Sequence, residues 1–301
     1  MAPSVVCLGE VLWDLLPAGP QLGGAPANVA VHARSLGARA ALVSRVGDDA
    51  PGRQAVAALA ARGVDTAAVS TDPDLPTGTV GVELDATGKP RFIIHEPAAW
   101  DHLTAGSGAR HLMATADAVC FGTLAQRNTR SREAIHGLLA ASAASRLVLC
   151  DINLRPPFVD RTVVEMSLQA ADILKLSGDE LPMLAALLGL EGGVESQVVA
   201  LARRFDLETV LVTLGAGGCR AWADGHWTTE PGRSVTVLDT IGAGDAFTAA
   251  YLVGRLAGRP LDAVLRHATD IAAFVCTQAG ATPELPEALT APFRSPNAQR
   301  V

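Results

Sequence analysis

Short apolar runs rich in β-branched residues alternate along this chain with longer Ala/Leu-rich stretches of helical period. The short runs cover residues 5–9, 40–46, 118–121, 147–151, 173–176 and 210–213. The helical stretches cover 27–36, 52–62, 129–143, 179–188, 194–203, 243–256 and 261–278. A strand apolar at every position is buried on both faces, and a helix between two such strands is the crossover of a parallel sheet. The pattern therefore predicts an α/β fold. One region departs from it: 79–84 alternates with period two, 85–89 has turn chemistry, and 91–95 reads as a second strand. That is a β-hairpin inserted into an α/β chain, and 11–16 offers a further strand. Such a hairpin serves as a flap over a site, a dimer surface or an ordinary sheet edge, and the pattern does not choose among them. With no internal repeat, low-complexity segment or long linker, the chain reads as one domain, 1–301.

Composition narrows the class. Apolar residues make up 49% of the chain, yet no apolar run approaches the ~18 residues of a membrane span. Met1-Ala2-Pro3-Ser4 lacks the basic region of a signal peptide, and the apolar run after it is too short for one. The five cysteines, Cys7, Cys120, Cys150, Cys219 and Cys276, lie far apart. An odd number without a C-x-x-C pair argues for buried thiols in the reducing cytoplasm, not a disulfide framework or zinc site. A net charge of −7 without a basic run disfavours nucleic acid and anionic membranes as partners. Lysine occurs only at Lys89 and Lys175, neither within G-x-x-x-x-G-K-[ST], which excludes a P-loop.

Residues 235–238 read as a strand and Ala246 onward as a helix, with Gly242-Ala243-Gly244-Asp245 as the tight turn between them. Small residues let backbone amides approach a ligand, and the helix N-terminus adds unpaired donors and the positive end of its dipole. Such a turn suits phosphoryl oxygens, and Asp245 in the first helical turn is a base within reach of an attacking hydroxyl. Taken alone, these residues equally fit a plain turn whose acid complements the dipole. The wider run Asp239-Thr240-Ile241-Gly242-Ala243-Gly244-Asp245-Ala246-Phe247 resembles the signature D-T-x-G-A-G-D-x-F of the PfkB (ribokinase-like) carbohydrate kinases. Gly23-Gly24-Ala25-Pro26-Ala27-Asn28, through Val46-Gly47-Asp48-Asp49 and Gly52, is similar to that family's N-terminal signature. The resemblance covers essentially the whole chain. It implies a ribokinase-like three-layer α/β sandwich with a central, mostly parallel sheet and a small β lid, here about 11–20 and 78–97. It also implies ATP-dependent phosphorylation of a sugar hydroxyl, with Asp245 as base and Gly242, Ala243 and Gly244 as anion hole. The lid is the surface expected to form a homodimer.

On the acceptor side, Glu10, Leu12 and Asp14 share one face if the segment after the first strand stays extended. A carboxylate at the carboxyl end of a central strand lies where α/β sheets bind ligands. By the resemblance, Asp14 binds the sugar together with Gly23, Gly24 and Asn28, although Asn28 alone also fits a helix N-cap. Asp151-Ile152-Asn153-Leu154-Arg155-Pro156-Pro157 puts polar residues on one face of an extended segment. Asn153 and Arg155 there suit sugar hydroxyls and a transferring phosphate; an Asp151–Arg155 ion pair is the structural alternative. This D-x-N-x-R-P pattern resembles the fructokinase and 2-keto-3-deoxygluconate kinase branches, and the G-E-x-x-x-D and G-G-A-P-A-N openings look closest to bacterial fructokinases. Trp100 either stacks on the sugar or packs internally.

On the nucleotide side, Thr213, Gly215 and Gly218 match the family's T-x-G-x-x-G, where a plain hairpin turn is the alternative. A dinucleotide fingerprint is absent, because 219–222 reads as a strand and not a helix. Lys175 either supports the nucleotide phosphates or simply ends a strand, and Thr240 is a further expected nucleotide contact. Ser177-Gly178-Asp179-Glu180 is a capping box, and the family's N-x-x-E at that place implies that Glu180 serves Mg²⁺ through water, with Ser177 departing from the pattern. Mg²⁺ otherwise arrives on ATP phosphates. Family members often bind a monovalent cation beside the anion hole; Asp239, Ile241 and 276–280 match, making K⁺ an expected cofactor. A nucleoside kinase, an NAD-dependent dehydrogenase and a non-catalytic sugar-binding regulator stand as alternatives.

Overall fold

The computed structural model describes residues 2–16, 19–84, 90–141 and 146–294. In chain order the strands are β1 (Ser4–Leu8), β2 (Leu12–Leu16), β3 (Gly19–Gly23), β4 (Arg39–Gly47), β5 (Val69–Asp72), β6 (Gly78–Leu84) and β7 (Pro90–Ile94). They continue as β8 (Ala118–Phe121), β9 (Leu147–Asp151), β10 (Ile173–Ser177), β11 (Thr209–Thr213), β12 (Cys219–Ala223) and β13 (His226–Glu230). The helices are α1 (Ala25–Ser35), α2 (Ala50–Ala61), α3 (Ser107–Thr115), α4 (Thr129–Ala140) and α5 (Arg161–Gln169). They continue as α6 (Glu180–Leu188), α7 (Val194–Phe205), α8 (Ala243–Leu256), α9 (Leu261–Cys276) and α10 (Glu287–Arg294).

The central sheet runs β13-β12-β11-β10-β9-β8-β1-β4-β5. It is parallel from β5 to β11, and β12 and β13 add an antiparallel edge. Successive side chains of a strand face opposite ways. On β1, Val5 and Cys7 join a core with Ala30 of α1, Leu59 of α2, Phe247 of α8 and Leu265 of α9. Val6 and Leu8 join a second core with Ile135 of α4, Leu168 of α5, Leu184 of α6 and Leu201 of α7. The result is three layers, with helices on both faces of the sheet. No helix among the described residues is long and apolar enough to cross a membrane.

A second sheet, ordered β3-β2-β6-β7, stands apart from the first. β6 and β7 pair antiparallel as a hairpin, and β2 joins β6 in parallel. The expected turn at 85–89, which includes Lys89, lies outside the described residues, as do residues 17 and 18.

One expected strand is absent. Residues 235–238 run irregularly, with Val235, Val237 and Leu238 exposed. Their alternation has the strand period, but β13 already ends the sheet, and no neighbour supplies a hydrogen-bond ladder. The segment is tied down by the Leu238 amide, which donates to the Cys276 carbonyl at 2.8 Å.

Candidate functional site

The carboxyl ends of β1, β8, β9, β10 and β11 open toward one edge of the sheet, the usual ligand position in α/β folds. Asp245 arrives there in the first turn of α8. Gly242 caps that helix at φ 77°, and a side chain on it would collide with the Ala281 backbone, so the tight entry depends on glycine. The Ala243 amide already donates to the Thr240 carbonyl at 3.3 Å. Asn28 of α1 donates from Nδ2 to Asp245 Oδ2 at 2.8 Å. Burial raises the Asp245 pKa, while Asn28, Lys175 and Arg155 pull against it.

Beneath this turn lies a buried pair. Lys175 of β10 and Asp151 of β9 stand in register on neighbouring strands. Lys175 Nζ donates to Asp151 Oδ1 at 3.0 Å and to Oδ2 at 3.1 Å. Thr248 of α8 donates from Oγ1 to Asp151 Oδ2 at 2.9 Å. A methyl group added to Gly244 would stand 3.0 Å from Nζ, so the ammonium lies directly under the glycine turn. Burial works to lower the Lys175 pKa, but the carboxylates of Asp151, Asp245 and Glu180 outweigh it and hold it above its usual value.

On the acceptor side, Asp14 sits on β2, where Gly23 of the paired β3 lets it close in: a side chain at Gly23 would collide with Asp14 Oδ2. Gly24, at φ 102°, starts α1 and hence places Asn28. Burial pushes Asp14 up to about 6, with Asp245 adding to the rise and Arg155 opposing it. Glu10, left out of the expected site residues, is 3% exposed. With Thr123, Asp151 and Asn153 it lines a narrow cleft between strand ends. Burial pushes its carboxyl up to about 7, against hydrogen bonds from its own amide and from Ala25. The argument made for Asp14, a carboxylate just past a fully apolar strand, applies to Glu10 with more force.

The segment after β9 is not extended as expected. The strand ends at Asp151, and Asn153 turns the chain at φ 42°. That break carries Asn153 to the cleft and Arg155 to the surface. Asp151 is paired with Lys175, so the alternative Asp151–Arg155 ion pair is not formed. The Arg155 guanidinium donates to the Leu154 carbonyl at 3.2 Å, and its charge lowers the pKa values of Asp14, Glu10 and Asp245. Trp100 requires a correction. It is 0% exposed and lies under the Arg127 guanidinium, 4.0 Å from the ring centroid, so no face remains for a sugar.

On the nucleotide side, Thr213 ends β11, and Gly215 sits exposed in the turn that follows, Gly215–Gly217. Gly218 is buried against residues 230–232 and closes this turn by accepting from the Leu214 amide at 2.8 Å. Thr240 is exposed. Asp239 accepts from the Ile241 amide at 3.0 Å and from the Gly280 amide at 3.2 Å, tying the signature loop to the segment after α9. The capping box is present: Glu180 Oε2 accepts from the Ser177 amide at 2.7 Å, and the Glu180 amide donates to Ser177 Oγ at 3.2 Å. Glu180 Oε1 accepts from the Leu154 amide at 2.7 Å, which joins this helix start to the Arg155 segment. Among the described residues no group of three or more His, Cys, Asp or Glu gathers as a metal cage.

The cleft thus joins carboxylates suited to neutral hydroxyls with a glycine turn suited to an anion. Known proteins resemble the chain along most of its length. Residues 19–288 match the family model described as pfkB family carbohydrate kinase. The chain is 33% identical to a fructokinase of Klebsiella pneumoniae, over 95% of this chain and 97% of that protein. It is 33% identical to fructokinase-1 of Oryza sativa subsp. japonica, over 94% of each. The solved structure of a Vibrio cholerae fructokinase with fructose, ADP and calcium bound superimposes with a TM-score of 0.83 at 28% identity, over 97% of this chain and 99% of that one.

Proposed function

The chain belongs to the pfkB family of carbohydrate kinases and is an ATP-dependent sugar kinase, and on that premise we propose that it converts fructose to fructose 6-phosphate with Asp245 as general base. The observation that carries this reading is the 2.8 Å hydrogen bond from Asn28 to Asp245, where the acceptor-side helix meets the helix of the glycine turn at one carboxylate. The fructose held by the Vibrio cholerae relative supports the choice of acceptor. So does the charge of the cleft: Glu10, Asp14 and Asp245 favour a neutral sugar over a sugar acid.

In this mechanism Asp14, Asn28 and Asn153 hydrogen-bond sugar hydroxyls, and Gly23 and Gly24 keep the backbone close to Asp14. Asp245 takes the proton of the attacking hydroxyl while its oxygen bonds to the γ-phosphorus. The bond to the β,γ-bridging oxygen breaks, and ADP leaves. The turn 242–244, the dipole of α8, Arg155 and the buried Lys175 offset the negative charge. Thr213, Gly215, Gly218 and Thr240 border the nucleotide. Glu180, with both oxygens already bonded to amides, would hold nucleotide-borne Mg²⁺ through water, and the cation would supply charge neutralisation at the phosphates. Asp239, with carbonyls of Ile241 and 276–280, is the proposed K⁺ site, and equal rates in potassium and in a bulky organic cation would remove it. The second sheet, β2, β3, β6 and β7, acts as a lid and joins two protomers through a face that includes the exposed Leu15. The enzyme works in the cytoplasm.

The test is Asp245→Asn, which keeps the side-chain shape and removes the base. Turnover should fall by about 10²–10⁴-fold while sugar binding, followed by calorimetry, stays near wild type. Near-normal turnover sinks the assignment. Coupled assays across fructose, ribose, ketodeoxygluconate and nucleosides check the acceptor, and faster turnover of any of the others displaces fructose.

A further inference from the structure

The turn that carries Arg155 is held from outside the cleft by Arg127, a residue just past the 3-10 turn Leu124–Gln126. Arg127 grips Asp101 with two parallel hydrogen bonds, Nε to Oδ1 at 2.7 Å and Nη2 to Oδ2 at 2.8 Å. The two side chains are 5% and 6% exposed, so this is a desolvated, bidentate pair with a fixed guanidinium plane. Aromatic rings approach the same guanidinium: the Trp100 centroid at 4.0 Å and the Phe158 centroid at 4.7 Å. Weakly hydrated and planar, a guanidinium stacks this way where an ammonium does not.

The two rings belong to different parts of the molecule. Trp100 packs against Gly78, where β6 leaves the body of the protein; a side chain at Gly78 would collide with the indole Nε1. Arg127 Nη2 also donates to the His95 carbonyl at 3.2 Å, just past the end of β7. One side chain therefore touches residues anchored at both roots of the hairpin. Phe158 leads the other way. Its amide donates to the Arg155 carbonyl at 2.7 Å, closing the turn from which the Arg155 side chain projects. Arg155 forms no ion pair among the described residues. Its guanidinium donates to the Leu154 carbonyl within the same segment, so its direction is set by that turn and not by an acidic partner.

We propose that Arg127 is a positioning residue for phosphoryl transfer, fixing the Arg155 turn through Phe158 and referring that turn to both roots of the β6–β7 hairpin. The proposal rests on the reading that Arg155 offsets charge during transfer. Phe158→Ala is the main probe, because it leaves the Asp101–Arg127 pair and the Trp100 contact in place. At saturating sugar and ATP its kcat should fall about tenfold, with sugar KM within about twofold of wild type. In an Arg155→Ala background the same change should have no further effect on kcat, since its route to the reaction is gone. Arg127→Lys, which keeps charge but loses the fork and the stack, should repeat the kcat pattern. Phe158→Leu, which refills part of the space, should recover part of the loss. An unchanged kcat in Phe158→Ala overturns the proposal. So does an equal fall with and without Arg155, which is what a general loss of structure gives. If Arg155→Ala alone leaves kcat unchanged, the reading of Arg155 fails first, and the proposal falls with it.

Discussion

Replacing Lys175 by methionine removes the ammonium that neutralises a carboxylate at the centre of the sheet. Asp151 is 4% exposed and receives both of its Nζ hydrogen bonds, at 3.0 and 3.1 Å, from this one residue. Methionine keeps an unbranched stem of similar length, so the loss is the charge and its donors, not the packing. Removing one partner of a buried ion pair costs about 3–5 kcal/mol, because an uncompensated charge stays behind. At about 2 °C per kcal/mol for a chain of this size, Tm should drop by about 6–10 °C. The drop carries a pH signature. Burial already raises the Asp151 pKa in the wild type, with Lys175 opposing the rise; in the variant that opposition is gone, so the folded pKa lies further above the unfolded one. A group shifted that way contributes stability at low pH and loses it as pH rises through the folded pKa. The Tm gap should therefore narrow between about pH 8 and about pH 5. Adding Asp151→Asn removes the stranded charge and should restore at least about half of the loss. Thermal unfolding of the three ligand-free proteins across that pH range is the assay. A gap under about 2 °C, or one that does not shrink toward the acid end, refutes the reasoning.

Two further predictions concern the same cleft. Gly242→Ala should lower both stability and turnover more than Gly244→Ala, because it strikes the Ala281 backbone at φ 77°, whereas the neighbour it adds near Gly244 is the end of the Lys175 side chain; kcat and Tm of the two variants check the order, and a reversal refutes it. Glu10→Gln tests linkage: with its folded pKa raised by burial to about 7 from 4.5, Glu10 contributes stability below pH 4.5 that is lost as pH rises through 7, a span of about 3 kcal/mol. His32, lowered by burial to about 4 from 6.5, has the opposite slope, losing stability as pH falls through that range. The two slopes oppose each other in the wild type, and the Gln variant should gain on it as pH rises; a constant difference in Tm would show that Glu10 does not titrate in the folded protein.

The parallel sheet was legible because a strand buried on both faces is apolar almost throughout: β8 is entirely so, β1 apart from Ser4, and β10 apart from Lys175 and Ser177. The hairpin was legible because period two announces a sheet with one covered face. What failed was any inference that needed a neighbour. Residues 235–238 alternate like a strand, but only the position of β13 decides whether anything pairs with them. Asp151 and Arg155 lie close in sequence, and an ion pair between them stood as the alternative to Arg155 serving the site. The true partner of Asp151 comes from the next strand, through a register that no local pattern encodes. Trp100 follows the hairpin at a place that suits a sugar platform, and burial under Arg127 takes both faces away. Helices α3, α5 and α10 were missed because 8 or 9 residues barely repeat an apolar period; α6 is as short, but its S-x-x-E start announces it.

The same dependence on neighbours changes how the glycine turn is understood. As a sequence, Gly242-Ala243-Gly244-Asp245 is a helix start with small residues, and its anion-binding strength would be that of one dipole. In the folded protein the turn rests on a cation: Lys175 stands under Gly244, held by Asp151, which is held in turn by Thr248 of the same helix. Because the pair is nearly neutral overall, it can be buried at modest cost. Because the ammonium is the member nearer the turn, its field still favours negative charge at the surface above. A Cβ at position 244 would press on the end of the Lys175 side chain, so glycine there keeps the ammonium close beneath the turn. Of the two lysines in the sequence, one stands buried beneath the glycine turn, where its charge faces the turn and not solvent.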